Sequence, residues 1–238
     1  MNDTDPDLNK IKSFYDDVYY ADTDKPLQDS AHLRNLAMRM SVNRTDAVLD
    51  VACGLGEWLA VCQELGATVA GVDLSDRAIA YCQEHLPGGD FHAVPAEKLP
   101  YNDASFDVVT CLGSLEHFVD PVVSLKEMVR VAKPDARFLL LVPNADFLTR
   151  KLGLYGGTYQ KDAKEVVRAL EEWERLFNEA GLSVTRKWKD LHVLSWSWIM
   201  MNGWFAAPLR ALQALLLPLW PMRWQYQVYH LCETGGKK

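Results

Sequence analysis

Cysteine is sparse and scattered in this 238-residue chain. Its five cysteines, Cys53, Cys62, Cys82, Cys111 and Cys232, include no C-x-x-C pair. The odd count and irregular spacing predict reduced thiols, not a disulfide framework. No His, Cys or carboxylate set stands at metal-ligand spacing, so the site is expected to be free of metal. Positive charge is in deficit: 25 Lys and Arg against 32 Asp and Glu give a net charge of −7. That argues against nucleic acid as substrate, because neutralising phosphates needs a basic face. No G-x-x-x-x-G-K-[ST] occurs, which excludes a P-loop. Gly54 and Gly56 begin a G-x-G, but Leu59 stands where the third glycine of a dinucleotide fingerprint would be. Met1 opens onto the polar, acidic NDTDPDLNK, so no secretory leader is expected and the cytoplasm is the predicted compartment. Internal repeats and low-complexity tracts are also absent.

What is present centres on AVLDVACGLGEW, Ala47 to Trp58, followed by VAGVDLS, Val69 to Ser75. An apolar run ends in Asp50 and breaks into a glycine-bearing turn. A helix-like segment follows, then a second apolar run ending in Asp73. Two carboxylates thus sit at the ends of adjacent strands, with a turn nearly free of side chains between them. Such a turn lets the backbone approach a ligand, and the second acid can accept hydrogen bonds from ribose hydroxyls. The layout points to an adenosine-containing ligand without phosphate-binding equipment.

Apolar residues make up 49% of the chain, enough for one α/β core with an additional segment. The first eight residues read as disordered. Ile11, Tyr15, Val18 and Tyr19 then fall on one helical face, and Asp29 to Met40 reads as a second helix. Strands are predicted at Ala47–Val51, Thr68–Val72, Phe91–Val94, Phe106–Cys111, Arg137–Val142, Leu182–Trp188 and Gln225–Cys232. Helices are predicted over Glu57–Leu65, Ser75 (as N-cap) to His85, Val122–Val131 and Asp162–Ala180. Gly66 and Gly181 are suited to end helices. This alternation argues a parallel sheet covered on both faces.

With these residues in view, the chain resembles the class I S-adenosylmethionine-dependent methyltransferases. The resemblance runs in register from about Asp46 to Asn144. AEKLPYNDASFDVVT (Ala96 to Thr110) looks like that family's third and fourth motifs, and LGSLEHFVDPVVSLKEMVRVAKP (Leu112 to Pro134) like the helix and loop that follow. The nearest pattern is the quinone-biosynthesis and small-molecule group. The resemblance implies a doubly wound, Rossmann-like sheet of seven strands with the last antiparallel. It also implies S-adenosylmethionine as co-substrate, bound across the carboxyl ends of the first, second and fourth strands.

The residue roles follow from the same resemblance. Asp50 would orient the turn and meet the methionine amino group. Ala52, Cys53, Gly54 and Gly56 would pass beside the methionine portion, which Leu112 would border. Asp73 would take the ribose hydroxyls, and Leu74 and Ala96 would flank adenine. Ala52 replaces the family's usual glycine, and Pro95 replaces an acid that often meets the adenine amino group, leaving Glu97 or a backbone carbonyl for that contact. Tyr15 and Tyr19 would fold over the ligand or simply pack their helix. In methyl transfer the protein aligns the reactants and removes a proton where the nucleophile carries one. His117 in SLEHF is the candidate base, the alternative being local packing. Glu116 would face solvent or hold the loop.

Lys189 to Trp224 carries six of the chain's eight tryptophans once Trp188 is included, and Val193 to Leu209 is free of charge. Gly203 and Pro208 interrupt that run, which at 17 residues is at the lower limit for a membrane span. Tryptophan-rich apolar sequence with flanking arginines suits a peripheral contact at the inner face of a membrane, a lid over a lipid-like acceptor or a homodimer interface. A buried helical subdomain is the plainer alternative. Arg150, Lys151, Tyr155 and Tyr159 contact the acceptor or decorate a loop. The expected organisation is residues 1–45 as cofactor lid, 46–188 as the binding core, 189–224 as apolar insertion and 225–238 as final strand and tail. The predicted activity is methyl transfer to a small or lipophilic acceptor. The alternatives are a protein that binds S-adenosylmethionine or S-adenosylhomocysteine without transfer, or an enzyme using the sulfonium for another group transfer.

Overall fold

Apolar runs flanked by turn residues form the strands of the protein: β1 (Ala47–Val51), β2 (Thr68–Asp73), β3 (Asp90–Ala93), β4 (Phe106–Leu112), β5 (Ala132–Pro143), β6 (Leu182–Lys189) and β7 (Gln227–Thr234). The structure, a computed structural model, describes residues 6–21, 27, 30–153, 165–191, 199–200, 203–205 and 207–235. The strands make one sheet in the order β3-β2-β1-β4-β5-β7-β6. β1 to β5 run parallel, and β7 lies antiparallel between β5 and β6. The strand order therefore reverses between β1 and β4, the topological switch point where α/β sheets bind ligands.

Eight helices of the described residues are α1 (Pro6–Phe14), α2 (Ala31–Arg39), α3 (Glu57–Glu64), α4 (Asp76–His85), α5 (Pro121–Val131), α6 (Leu148–Lys151), α7 (Leu170–Glu179) and α8 (Ala207–Leu216). The period of two along the strands divides the core between the two sheet faces. Leu49, Val51, Val109 and Leu140 pack with Met128 of α5 and Trp173 and Phe177 of α7. Val48, Val108 and Leu139 pack with Leu36 of α2, Leu59 of α3 and Ile79 of α4. Both faces being covered explains why β1 reads as an almost continuous apolar run. Caps match the sequence: Ser75 Oγ accepts from the Ala78 N–H at 3.1 Å, and Gly66 (φ +88°) and Gly181 (φ +92°) end α3 and α7.

Some boundaries differ from the sequence reading. α7 begins at Leu170, not Asp162. Residues 165–169 are held extended by the bond from the Val166 N–H to the Glu116 carbonyl at 2.8 Å and by an Asn144–Arg168 bridge. The helix takes over where the Ala169 N–H finds Glu172 Oε2 at 3.0 Å. β5 starts at Ala132, directly after α5, and its pairing with β4 shifts between Phe106 and Val108. Of the opening residues read as disordered, 1–5 lie outside the described residues and Pro6–Leu8 are helical. Tyr155, Tyr159 and 162–164 also lie outside, as do 192–198, 201–202 and 206 of the apolar stretch. Among the described residues no helix is long and apolar enough to cross a membrane, and all five cysteines are buried and free.

Candidate active site at the switch point

The turn from β1 to α3 is wound left-handed at Ala52 (φ +63°), Gly54 (φ +53°) and Gly56 (φ +78°). A Cβ on Gly54 would come within 2.8 Å of Tyr20 Oη, so the hydroxyl rests directly against this backbone. A Cβ on Gly56 would meet Leu86 Cδ1 at 2.8 Å, which ties the start of α3 to the end of α4. Ala52 has the same handed backbone but carries a methyl, a costly combination for an L-residue.

Asp73 holds this turn from the neighbouring strand. Its Oδ2 accepts from the Gly54 N–H at 3.0 Å and its Oδ1 from the Ser75 N–H at 2.9 Å. Burial pushes the Asp73 carboxyl up, while these backbone donors pull it down. Each oxygen keeps a further lone pair for a hydroxyl donor. Asp50 is buried beneath the turn and accepts from Thr110 Oγ1 at 2.6 Å. Burial raises its carboxyl to about 8, against the lowering effect of Thr110 and with a further push from Asp73.

A partly open cavity lies above these groups, lined largely by apolar side chains. Of the residues singled out from the sequence, Tyr15, Ala52, Asp73, Leu74, Ala96, Glu97 and His117 line it. Asp50, Cys53, Gly54, Gly56 and Leu112 do not. Asp50 is turned toward Thr110, the Cys53 thiol packs at Gly71, and the two glycines are covered by Tyr20 and Leu86. Leu112 packs against the core on the α2–α4 face. Glu97 Oε1 accepts from the Asp120 N–H at 3.2 Å, linking the β3–β4 and β4–α5 connections. His117 sits in the single turn Leu115–His117 after β4, almost fully buried at the cavity wall.

Tyr20 lines the cavity where Tyr19 was expected; Tyr19 is 53% exposed. Residues Tyr15–Tyr19 form a π-turn, and the Tyr20 N–H donates to the Tyr15 carbonyl at 2.8 Å. One extra residue per turn moves the inward face from the fourth position to the fifth. The N-terminal helices are latched onto the β2–α4 turn by contacts the sequence did not signal. Lys12 Nζ donates to the Leu74 carbonyl at 2.8 Å, and Asp16 Oδ1 accepts from Ser75 Oγ at 2.6 Å. Glu116 is buried, contrary to the solvent-facing reading, and its Oε2 finds no hydrogen-bond partner among the described residues. Burial raises its carboxyl to about 7. Among the described residues no group of His, Cys, Asp and Glu converges to hold a metal.

The residues present fit S-adenosylmethionine: an acidic acceptor for a ribose, apolar Leu74 and Ala96 for a base, and a thin turn for the chain beyond. Residues 49–140 match the family described as a methyltransferase domain. The chain is 30% identical over 195 residues to a ubiquinone biosynthesis O-methyltransferase of Hahella chejuensis, covering 78% of this chain and 81% of that one. It is 29% identical to a demethylmenaquinone methyltransferase of Clavibacter sepedonicus, covering 73% and 71%. Its fold is similar to the crystal structure of an S-adenosylmethionine-dependent methyltransferase from Aquifex aeolicus, with a TM-score of 0.58, 17% identity and coverage of 95% and 97%.

Proposed function

The chain belongs to the class I S-adenosylmethionine-dependent methyltransferases, and from that premise we propose that it methylates a hydroxyl on a lipophilic, quinone-like acceptor. The co-substrate supplies a methyl carbon already activated by a sulfonium, so no acid is needed for the leaving group. The protein's work is to bind, align and move one proton.

Asp73 anchors the ribose hydroxyls, with its carboxylate held by Gly54 and Ser75. Leu74 and Ala96 flank the adenine, and Glu97 stands near its edge. Ala52 and the backbone of 53–56 run beside the methionine portion, with Asp50 and Thr110 fixing the turn from below. Tyr15 and Tyr20, latched through Lys12 and Asp16, roof the cavity and exclude water. His117 takes the proton of the acceptor hydroxyl as the oxygen–methyl bond forms. α1 and the π-turn after it thus form the lid, the sheet with its flanking helices the binding core, and α8 with the turns after it the acceptor side.

The observation that carries this reading is that Asp73 and His117 line one cavity under an aromatic roof. The likeness to a protein named for ubiquinone biosynthesis supports the acceptor class. The test is methyl transfer from labelled S-adenosylmethionine by purified protein to detergent-dispersed catechols and hydroquinones of increasing tail length. Label in the acceptor, rising with tail length, is expected. Labelling of short hydrophilic acceptors alone would overturn the lipophilic assignment.

A further inference from the structure

The segment between β6 and β7 leaves an apolar surface in water. α8 turns Ala214 inward, and Leu217 follows it into the core. Leu209, Leu212, Leu215, Leu216 and Leu219 point the other way and are 41% to 78% exposed. At 3.6 residues per turn Leu209, Leu212, Leu215 and Leu216 occupy about a third of the circumference of α8, and Leu219 follows on the 3-10 turn after it. Trp204 and Phe205, just before the helix, are almost wholly exposed. So many adjacent large apolar side chains facing solvent mark an interaction site.

The mooring of the segment locates this face. The buried Gln225 donates Nε2 to the Leu217 carbonyl at 2.9 Å, and Asn144 donates Nδ2 to the Arg223 carbonyl at 2.8 Å. Lys189 Nζ donates to the Pro218 carbonyl. Asn144 follows the end of β5, Lys189 ends β6, and β7 starts antiparallel at Gln227. All these anchors therefore sit at the carboxyl edge of the sheet, the edge that carries the cavity.

Charge decides the occupant. Between Asp190 and Glu233 the sequence has no aspartate or glutamate, and Arg210 and Arg223 lie in that interval. In a chain of net charge −7 this is a local reversal of sign. Lys189 and Arg39 add positive charge along a groove lined by Trp188, over whose ring the Arg39 guanidinium sits at 5.4 Å. Leucines for acyl chains, the exposed Trp204 beside them and the exposed Arg223 for headgroups are the make-up of a segment lying in a membrane interface. A second copy pairing through this face would bring two segments of the same positive sign together.

We propose that the outward leucine face of α8, with Trp204 and Phe205, docks into the surface of an anionic lipid bilayer and brings the cavity to the membrane. This rests on the lipophilic-acceptor reading and adds the docking surface and the lipid charge. The test is sedimentation of the full chain with phosphatidylcholine vesicles, with and without phosphatidylglycerol. Wild-type protein binds the anionic vesicles, and binding falls as salt is raised. The L209E/L215E double variant loses about tenfold or more in partitioning for each leucine removed from lipid. Its affinity for S-adenosylhomocysteine stays unchanged, which reports an intact fold. Wild-type protein that stays in solution with both vesicle types overturns the proposal, as does a double variant that binds equally well. A wild-type dimer that the double variant dissolves would assign the face to a second copy instead, and also overturns it. The vesicles hold no acceptor, so their failure sinks docking alone. Failure to methylate detergent-dispersed quinols sinks the acceptor reading alone.

Discussion

Tyr15 and Tyr20 stack with their ring centroids 6.1 Å apart and their planes 29° from parallel, one π-turn apart in the chain. Tyr20 covers the glycine turn, its Oη against Gly54, and both rings line the cavity. If the rings roof the ligand, Tyr20→Ala weakens S-adenosylhomocysteine binding by about tenfold through lost apolar contact. Tyr20→Phe keeps most of the affinity. Calorimetry on both variants checks this, and equal affinity for wild type and the alanine variant would remove Tyr20 from the site.

Ala52 is held at φ +63°, where glycine is free of the steric cost its methyl brings. Ala52→Gly is therefore expected to stabilise the protein by about 1 kcal/mol, the relief exceeding the gain in unfolded-chain entropy. At this size that is roughly 2–4 °C in Tm. The variant should bind S-adenosylhomocysteine at least as well as wild type. Thermal denaturation that shows no gain would mean that the alanine is relieved elsewhere in the turn.

The strands and the switch point were legible because each rests on local signals: apolar runs such as Val48–Val51, and glycines at the three helix ends near 56, 66 and 181. Asp50 and Asp73 were legible as a pair with separate roles, but the contact that turns Asp50 away from the cavity was not. It depends on Thr110, sixty positions from Asp50 and adjacent only through the β1–β4 pairing. Tyr20 was hidden because α-helical spacing selects Tyr19, and nothing in YDDVYY announces the extra residue of a π-turn. The late start of α7 and the burial of Glu116 share one cause. The segment at Val166 bonds the Glu116 carbonyl across the fold, a contact between residues fifty positions apart.

Asp73 accepts two backbone N–H groups and lines the cavity. Asp73→Asn can keep only part of that pattern and loses the charge that strengthens hydrogen bonds to ribose hydroxyls. S-adenosylhomocysteine affinity should fall about a hundredfold, near 2.7 kcal/mol. Circular dichroism should remain that of the wild type. An unchanged dissociation constant in calorimetry would assign Asp73 to the turn alone.

Glu116 is buried, with Oε2 unsatisfied among the described residues and its carboxyl raised to about 7. The folded protein therefore binds more protons than the unfolded chain between about pH 4.5 and 7. Stability from this group is fully present below the lower value and is lost as pH rises through the upper one. Glu116→Gln removes the ionisation and should gain on wild type as pH rises, by about 2–4 kcal/mol between pH 5 and pH 8. Asp50 titrates with the same sign but is common to both proteins and cancels in the difference. Melting curves of the two proteins at both pH values suffice. A constant difference would show that Glu116 is ionised throughout.

His117 lines the cavity beside Ser114 and Phe118, opposite Asp73 on the other side of the switch point. As the base for an acceptor hydroxyl, it would contribute about 10²–10⁴ in rate. His117→Ala should lower kcat by that factor and leave S-adenosylhomocysteine affinity unchanged, because binding relies on Asp73 and the turn. The wild-type rate should rise with pH as the imidazole loses its proton, and the alanine variant should lose that inflection. A structural role predicts a different pattern: weaker ligand binding, lower stability and a pH profile of unaltered shape. Measuring kcat against pH together with ligand affinity separates the two, since only a proton acceptor couples the rate to its own titration.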